Sequence, residues 1–269
     1  MHAQTASLSD FVARHPRLFV LTGAGCSTDS GIPDYRDANG GWKRSPPVNF
    51  QAFMGSPAVR QRYWARSFVG WQRFRRAGPN GAHDALARLE KQGRLELLVT
   101  QNVDGLHQAA GNTRVIDLHG RLDRVRCMDC EGLAPREQVQ AELLSRNPAW
   151  NEVQARSAPD GDADLDGMPF DEFVVPSCPR YGGVLKPDVV FFGESVPRPR
   201  VDTAMQRLGR ADAVLVVGSS LMVYSGYRFV QAAAQAGKPV AAVNLGRTRA
   251  DELLALKVSE PCAQALAGL

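Results

Sequence analysis

The sequence predicts an α/β fold in which a doubly wound parallel sheet carries helices on both faces. Six short apolar runs lie along the chain, separated by segments long enough for helices, and each run stops at small or polar residues. Continuous runs of Val, Ile and Leu are typical of parallel strands buried on both faces. The runs span residues 18–21, 95–99, 115–118, 189–192, 213–217 and 240–243. We therefore expect these six runs to be strands of one sheet.

The composition is that of an ordinary globular protein. Of the 269 residues, 44% are hydrophobic and 22% charged, and the length favours one large domain or one large and one small domain. The net charge of +4 is mild, and no stretch approaches the roughly 18 apolar residues that a membrane helix needs. Residues 1–17 contain Asp10 and lack the apolar core of a signal peptide, so they predict an opening helix. We expect a cytoplasmic protein with no membrane partner and no specific nucleic-acid partner.

Small and polar residues follow each predicted strand. The carboxyl ends of parallel strands meet at one edge of a doubly wound sheet, and ligands bind in the crevice beyond that edge. The residues in question are Gly23, Ala24, Gly25, Gln101, Asn102, Asp104, His119, Gly193, Glu194, Gly218, Ser219, Ser220, Asn244, Leu245 and Gly246. The sequence therefore predicts one site assembled from six separated segments.

The first of these segments, Gly23-Ala24-Gly25, follows a strand and precedes a predicted helix. A backbone turn of this kind can approach a pyrophosphate at a helix N-terminus. Thr28 stands where the third glycine of a dinucleotide motif would be, and no strand about 20 residues later ends in an acidic residue. A plain strand-to-helix turn would look the same, so the glycines alone do not assign a ligand.

A loop shaped by glycine and proline carries Asp34, Tyr35 and Arg36 shortly after this turn. These residues are either a surface turn with a local ion pair, which contributes little energy, or part of the same crevice. His119 lies at a strand end, where an imidazole with an ordinary pKa near 6.5 can act as a general base. Its position favours the catalytic interpretation.

The five cysteines are spaced for metal binding better than for disulfides. Cys127, Cys130 and Cys178 have the rhythm of two zinc knuckles, but Tyr181 stands in the fourth position. A phenol with a pKa near 10 is a poor zinc ligand. Either water or a carboxylate of Asp129 or Glu131 completes the site, or the site is weak or empty and Tyr181 packs there.

Two segments interrupt the alternation of strands and helices. Residues 34–80 contain many aromatic residues and arginines and predict a helical insertion, and residues 121–188 predict an inserted small module of the zinc type. The remaining segments, 1–33, 81–120 and 189–269, would form the large domain. Within the helical insertion, Tyr63 and Arg66 would share a helix face. They would either present a hydroxyl and a guanidinium to a carboxylate or belong to a solvated amphipathic helix.

Together these motifs resemble the sirtuins, the NAD-dependent protein deacylases. The matching stretches are 23–36, 101–104, 119–120, the paired cysteines, 186–194, 218–220 and 244–246, in the family's order and over nearly the whole chain. Residues 62–71 are most similar to class II, mitochondrial-type sirtuins, and a bacterial member is expected. The resemblance implies a Rossmann-like NAD-binding domain with an inserted zinc-ribbon-like module.

The resemblance also implies a role for each group of site residues. NAD phosphates and ribose would contact Gly23, Ala24, Gly25, Asp34, Tyr35 and Arg36, and the nicotinamide ribose Gln101, Asn102 and Asp104. The adenosine half would border Gly218, Ser219, Ser220, Asn244, Leu245, Gly246 and Cys262. The peptide would add as a strand to Val190, Phe191, Phe192, Gly193 and Glu194, with Tyr63 and Arg66 holding an acidic acyl group. Zinc would be held by Cys127, Cys130 and Cys178, with the fourth ligand in question.

The activity implied by the resemblance consumes NAD. The acyl oxygen of a modified lysine, on a protein or peptide partner, attacks the ribose C1′ as nicotinamide leaves. His119 then deprotonates a ribose hydroxyl, with Asn102 and Asp104 beside it, and nicotinamide, O-acyl-ADP-ribose and free lysine result. Two alternatives are an NAD-dependent protein ADP-ribosyltransferase, which uses the same crevice, and a non-enzymatic zinc-module binding protein.

Overall fold

The fold is that of a computed structural model, and the description covers residues 7–43, 47–153, 156–157, 162–165 and 168–269, with backbone alone at 156, 157 and 164. Parts of the predicted insertions 34–80 and 121–188 lie outside these described residues. None of the helices within the described ranges has the length and apolar character that crossing a membrane requires.

The described residues form both strands and helices. The strands are β1 (Leu18–Thr22), β2 (Leu95–Thr100), β3 (Val115–Asp117), β4 (Gly120–Cys127), β5 (Leu133–Pro135), β6 (Arg156–Ser157), β7 (Ala163–Asp164), β8 (Leu185–Val189), β9 (Ala213–Val217), β10 (Val240–Val243) and β11 (Leu256–Val258). The helices are α1 (Leu8–Arg14), α2 (Phe50–Gly55), α3 (Pro57–Phe74), α4 (Gly81–Lys91), α5 (Leu106–Ala109), α6 (Arg136–Arg146), α7 (Arg198–Arg210), α8 (Tyr224–Gln235) and α9 (Cys262–Leu266).

The main sheet confirms the predicted doubly wound architecture. Its strands run in the order β11-β10-β9-β1-β2-β3, and every pairing is parallel. Successive residues of β1 point to opposite faces, so Leu18 and Val20 join a core with α1, α4 and α9, whereas Phe19 and Leu21 join a core with α7 and α8. Helices therefore cover both faces, and all five residues of β1 are buried.

The prediction that residues 189–192 form a strand of the main sheet is wrong. β8 ends at Val189 and pairs antiparallel with β4 in a separate three-stranded sheet, β5-β4-β8. Residues 190–192 continue along the cavity wall, where Phe192 makes an isolated bridge to Asn49. The sixth strand of the main sheet is β11, which has an exposed Lys257 at its centre and therefore no apolar run.

The helix predicted after Gly25 is also absent from this stretch of the described chain. Two 3₁₀ turns, Ala24–Cys26 and Thr28–Ser30, occupy it. The second turn ends at Gly31, whose φ of 82° is left-handed, and Pro33 follows. A left-handed residue ends a helix, and the residue before a proline avoids helical angles, so the chain turns into the loop of 32–43 instead.

The small antiparallel sheet packs against the helical insertion. α3 begins with Ser56 as N-cap and Pro57 in its first turn, a common helix start. Its Trp64 is fully buried and donates an indole N–H hydrogen bond to the Leu185 carbonyl at 3.1 Å. The Arg136 guanidinium lies over the Trp64 and Trp71 rings, at 5.3 and 5.2 Å. These contacts tie α3 to both β8 and α6, beside the main sheet.

We expect Gly218→Ala to lower the free energy of unfolding by about 3 kcal/mol. An alanine there would adopt a left-handed conformation, which costs about 1–2 kcal/mol, and its Cβ would lie 2.2 Å from the Cys26 nitrogen, a clash that adds about 1–3 kcal/mol. Gly237→Ala is the matched control, because φ is +69° there and no atom lies within 4 Å of the new Cβ. Urea denaturation of both variants measures the difference, and equal losses would contradict the close approach at Gly218.

Candidate functional site

One large cavity opens beyond the carboxyl ends of β1, β2, β9 and β10. Its volume is about 1110 Å³, above the usual range of small-molecule sites. The predicted residues that line it are Gly23, Ala24, Gly25, Asp34, Tyr35, Arg36, Tyr63, Gln101, Asn102, Asp104, His119, Val190, Phe191, Phe192, Gly193, Glu194, Gly218, Ser219, Ser220, Asn244, Leu245, Gly246 and Cys262. The structure thus brings together every predicted cofactor residue, while Arg66 is not among the residues that line the cavity.

Glycines at the ends of β1 and β9 make the floor of the cavity from bare backbone. The Gly25 N–H donates to the Gly218 carbonyl at 2.8 Å, and the Gly23 N–H donates to the Val217 carbonyl at 3.1 Å. A Cβ on Gly23 would lie 2.8 Å from the Ser219 Cβ, and one on Gly25 would lie 3.0 Å from Gly218. Side chains at these positions would clash with the turn after β9, so glycines let the two turns touch and form a cradle of bare main chain that a ligand can approach closely.

Arg36 gives the cavity a positive charge held in a fixed plane. Its guanidinium lies 3.5 Å from the centre of the Trp42 ring and donates to the Gly40 carbonyl at 3.1 Å. Burial lowers the pKa of Arg36, which nevertheless remains a cation. Asp34 forms an ion pair with Lys43 at the same loop. A stacked guanidinium of this kind suits an anionic oxygen, as a phosphate provides.

Asn102, Ser27 and Asp104 form a hydrogen-bonded chain inside the cavity. The Asn102 amide donates to the Gly23 carbonyl at 3.1 Å and to the Ser27 hydroxyl at 3.0 Å, and Ser27 donates to Asp104 at 2.7 Å. The other Asp104 oxygen accepts the Leu106 N–H at 3.0 Å. This chain joins the β1 turn to the β2 turn. Ser27 was not assigned from the sequence, because only its partners show that it connects the two turns.

His119 is held as a neutral imidazole with a defined tautomer. Its Nδ1 lies 2.9 Å from the Gln101 carbonyl oxygen, which can only accept, so Nδ1 carries the hydrogen and Nε2 the lone pair. The Nε2 atom lies 2.8 Å from the Ser225 hydroxyl. Burial lowers the pKa of His119 to about 4, and the nearby Arg200 lowers it further against the effect of the Gln101 hydrogen bond. The imidazole is therefore unprotonated and able to accept a proton at neutral pH.

The segment from Val190 to Glu194 forms the wall opposite the glycine cradle. The Val190 N–H donates to the His119 carbonyl at 2.7 Å, which ties this wall to the base. Glu194, predicted to contact substrate, accepts hydrogen bonds from the Lys186 ammonium at 3.0 Å and the Phe191 N–H at 2.9 Å. Lys186 is only 3% exposed. This ion pair, in which the ammonium is buried and the carboxylate half-buried, braces the wall.

Tyr63 and Arg66 share a face of α3 as predicted but meet different surroundings. The Tyr63 ring is buried against Phe53 and Phe191, each with ring centres about 5 Å away, and it lines the cavity. The Arg66 Nε lies 3.3 Å from an oxygen of Asp162, whose side chain is only 7% exposed. The structure therefore gives Arg66 a carboxylate partner from the chain itself.

The three predicted metal ligands lie together in the small module. Their sulfur atoms are all within 4.8 Å of one another, and the Cys130 and Cys178 sulfurs are 3.9 Å apart. Tetrahedral zinc with Zn–S bonds of about 2.3 Å holds its sulfurs about 3.8 Å apart, so the geometry fits. Backbone N–H groups of Arg180 and Tyr181 lower the pKa of Cys178, which favours the thiolate that zinc needs. Tyr181 itself is 72% exposed, so it does not pack on the cluster.

Of the two carboxylates considered as a fourth ligand, Asp129 is the better placed. A Cβ built on Gly183 would lie 2.4 Å from Asp129 Oδ2 and 2.9 Å from the Cys127 sulfur, so carboxylate and thiol border the same point. Asp129 and Glu131 are both exposed, and Glu131 has a left-handed backbone, with φ of 57°. The donor set is compatible with a structural zinc bound by three thiolates and one oxygen.

A second buried cluster, Cys26, His83 and His107, was not predicted as a site. The Asn80 N–H donates to His83 Nδ1, so Nε2 of His83 carries the hydrogen. Burial and the neighbouring His83 lower the pKa of His107 to about 3. His107 donates to Thr22, which donates onward, so Nδ1 of His107 carries the lone pair. A metal ion would need lone pairs on both imidazoles, so this cluster favours hydrogen bonding over metal binding.

Comparisons with known proteins identify what the chain resembles. The profile described as the Sir2 family matches residues 23–225. An NAD-dependent protein deacetylase of Xanthomonas campestris pv. campestris (strain 8004) is 70% identical over 263 residues, covering 98% of this chain and 90% of the relative. A solved complex of Sir2 with a p53 peptide and NAD+ has a TM-score of 0.76 at 30% identity, covering 97% of this chain and 94% of that one. Sir2Tm bound to a propionylated peptide gives 0.75 at 30% identity, with the same coverage.

We expect Tyr181→Cys to raise zinc content toward one ion per chain and to raise the thermal midpoint. A fourth thiolate would complete a closed tetrahedral site, and metal binding adds directly to folding stability. Zinc is measured by elemental mass spectrometry and the midpoint by thermal unfolding, with and without chelator. Tyr224→Cys, at another exposed tyrosine, is the control for adding a thiol. If both variants match the parent protein, position 181 has no part in metal binding.

Proposed function

The chain belongs to the Sir2 family and removes acyl groups from protein lysine side chains in an NAD-dependent reaction, and we propose that its two substrates meet in the cavity described above. The observation that carries this proposal is the neutral His119 imidazole facing the same cavity as the glycine cradle at Gly23 and Gly25. Because the base and the glycine turns that would hold a dinucleotide face one cavity, the base can remove a proton from the ribose of a bound dinucleotide.

The cradle and its neighbours suit NAD. When bound, NAD supplies an electrophilic ribose carbon with nicotinamide as leaving group. We assign the pyrophosphate to the turn of residues 23–25, where glycines allow close approach to the main chain, and to the stacked Arg36 guanidinium, since all of these line the cavity. Asn102 and Asp104, joined through Ser27, would hold the nicotinamide ribose. Fixed donors and acceptors of this kind orient a substrate without reorganising during the reaction.

His119 is assigned the role of general base. Its Nε2 lone pair would receive the ribose hydroxyl proton, and its Nδ1–H bond to the Gln101 carbonyl would stabilise the imidazolium that forms. Because burial lowers the pKa of His119 to about 4, nearly every molecule is ready to accept a proton at pH 7. Proton return to solvent is correspondingly favourable.

The acyl-lysine peptide is assigned to the wall of residues 190–194. An added strand gains affinity from main-chain hydrogen bonds, which make few demands on sequence. The bracing of this wall by Lys186 and Glu194 supports the assignment, because a strand template must be rigid before the peptide arrives. The similarity to a Sir2 bound to a propionylated peptide supports a site that accepts more than one acyl group.

The division into a large domain, a helical insertion and a zinc-type module stays a prediction, as does the assignment to class II. So do the cytoplasmic location and the lack of a specific nucleic-acid partner. Five free thiols among the described cysteines support a reducing location. Three cysteines gathered outside the cavity lining support a structural role for zinc.

We expect His119→Ala to abolish O-acyl-ADP-ribose formation from NAD and an acetylated peptide, because no other base holds the same place. A general base contributes roughly 10²–10⁴-fold to rate. Mass spectrometry of the products measures the loss, and far-UV circular dichroism checks that the fold is kept. His15→Ala, at a histidine in contact with α1, is the control.

Undiminished turnover by His119→Ala would remove the assignment of the base. The same mass spectra separate the alternative activity, because a protein ADP-ribosyltransferase releases nicotinamide while the mass of a protein increases. Steep salt dependence of DNA binding without NAD turnover would instead favour a non-enzymatic binding protein.

We expect acetylated and other uncharged acyl peptides to react faster than a glutarylated peptide. Asp162 pairs with Arg66, so the guanidinium that would hold an acidic acyl group is already engaged. Asp162→Ala should raise kcat/KM for the glutarylated peptide severalfold, and adding Arg66→Met should cancel the gain. Asp171→Ala, at an exposed acidic residue of the same module, controls for the change in net charge. A glutarylated peptide that the parent protein already prefers, or a gain in Asp162→Ala that Arg66→Met leaves unchanged, would contradict this view.

A further inference from the structure

Ser225 lies against the base at a position that the sequence does not mark. It is in the first turn of α8, its side chain is largely buried, and it lines the cavity beside His119. Its Oγ is 2.8 Å from His119 Nε2, a good hydrogen-bond distance. No motif in the sequence pairs these residues, which are 106 positions apart.

The direction of this hydrogen bond is fixed by the other side of the ring. His119 Nδ1 donates to the Gln101 carbonyl, so Nε2 of the neutral imidazole has no hydrogen to give. The Ser225 hydroxyl must therefore be the donor. An imidazole nitrogen has a single lone pair in the ring plane, and in this arrangement that lone pair is already used.

The same hydroxyl can still accept a hydrogen bond from the cavity. A serine oxygen has two lone pairs besides its O–H, and both remain when the hydrogen points to His119. Since Ser225 lines the cavity, a substrate hydroxyl can donate to Oγ. The ribose hydroxyl then reaches the base through serine, without displacing it.

The packing around α8 keeps this serine in place. A Cβ on Gly226 would lie 2.7 Å from the Gln101 side-chain amide, so any other residue there would displace this amide. Gln101 in turn accepts the Ser219 hydroxyl at 2.7 Å and supplies the carbonyl that fixes the His119 tautomer. Gln101, which fixes the His119 tautomer, thus packs against the same turn of α8 that carries Ser225, which contacts the Nε2 lone pair.

We propose that Ser225 relays the ribose proton to His119. As the ribose O–H bond breaks, its proton binds Ser225 Oγ while the serine's own proton moves to His119 Nε2. The electron pair of the broken bond stays on the ribose oxygen, which becomes the nucleophile. Serine ends unchanged, and His119 ends as the imidazolium. The relay rests on the proposed role of His119 as the base.

The test compares Ser225→Ala with Ser225→Thr, which keeps a hydroxyl. Single-turnover formation of O-acyl-ADP-ribose from an acetylated peptide should slow at least about 10-fold in Ser225→Ala, part of the roughly 10²–10⁴-fold that positioned acid–base groups contribute. The exchange of labelled nicotinamide into NAD, which precedes proton removal from the ribose, should slow far less. Ser225→Thr should recover most of the loss, and Ser145→Ala on α6 is the neutral control.

A second measurement, the dependence of the rate on the deuterium content of the solvent, reports how many protons move in the step. In mixtures of light and heavy water, two protons moving together give a curved dependence of rate on deuterium content, and Ser225→Ala should give a straight line. Full rate in Ser225→Ala, or equal loss of exchange and product formation, would overturn the relay. If His119→Ala is inactive while Ser225→Ala is normal, only the relay fails; if His119→Ala turns over, the proposed base itself fails.

Discussion

The site depends on the close contact between two backbone turns, one after β1 and one after β9. Gly25 N–H meets the Gly218 carbonyl at 2.8 Å, and Gly218 N–H meets the Val243 carbonyl of β10 at 2.8 Å. Parallel strands bring these turns to one edge, but only residues without Cβ atoms let them touch. The resulting floor of bare peptide groups gives the cavity its depth. Because the two turns are joined to three adjacent strands, the floor is as rigid as the sheet.

Buried hydroxyl groups connect the ends of β1 and β2 to the polar residues of the cavity. Thr22 at the end of β1 donates to Thr100 at the end of β2, and Thr100 accepts the Asn102 N–H at 3.0 Å. His107 completes the set by donating to Thr22 at 2.8 Å. Each of these hydrogen bonds has a defined donor and acceptor, so the directions of the bonds are mutually consistent. Asn102 therefore enters the cavity from a backbone that cannot shift without breaking buried hydrogen bonds, which is costly in a dry interior.

Local patterns predicted the strands and the polar residues that end them, because buried parallel strands need continuous apolar runs. The edge strand β11 was not predicted, because half-exposed Leu256 and Val258 flank a lysine and the strand has no apolar run. Residues 190–192 have an apolar run for another reason, which is contact with the cavity and with α2. The partners of Arg66 and His119 could not be predicted, because Asp162 and Ser225 are distant in sequence and their contacts arise only when the modules pack. Sequence spacing predicted that the three cysteines lie together. The preference for Asp129 over Glu131 as a fourth ligand could be argued only from the fold.

Ion pairs stabilise the wall of residues 190–194 and the strand β8 that precedes it. Asp188 on β8 pairs with Arg124 and Arg126 of β4, and Glu194 pairs with Lys186, whose ammonium also lies 4.5 Å from the Phe191 ring. Asp188 and Lys186 are buried, whereas their partners keep contact with solvent, so an opposite charge offsets each buried one and helps to fix the strand that carries it. The ion pairs thus stabilise the wall, and the surface that faces the cavity consists of peptide groups and aromatic rings together with Glu194, whose charge Lys186 balances. A surface of this kind can offer main-chain hydrogen bonds, which make few demands on the sequence of a bound segment.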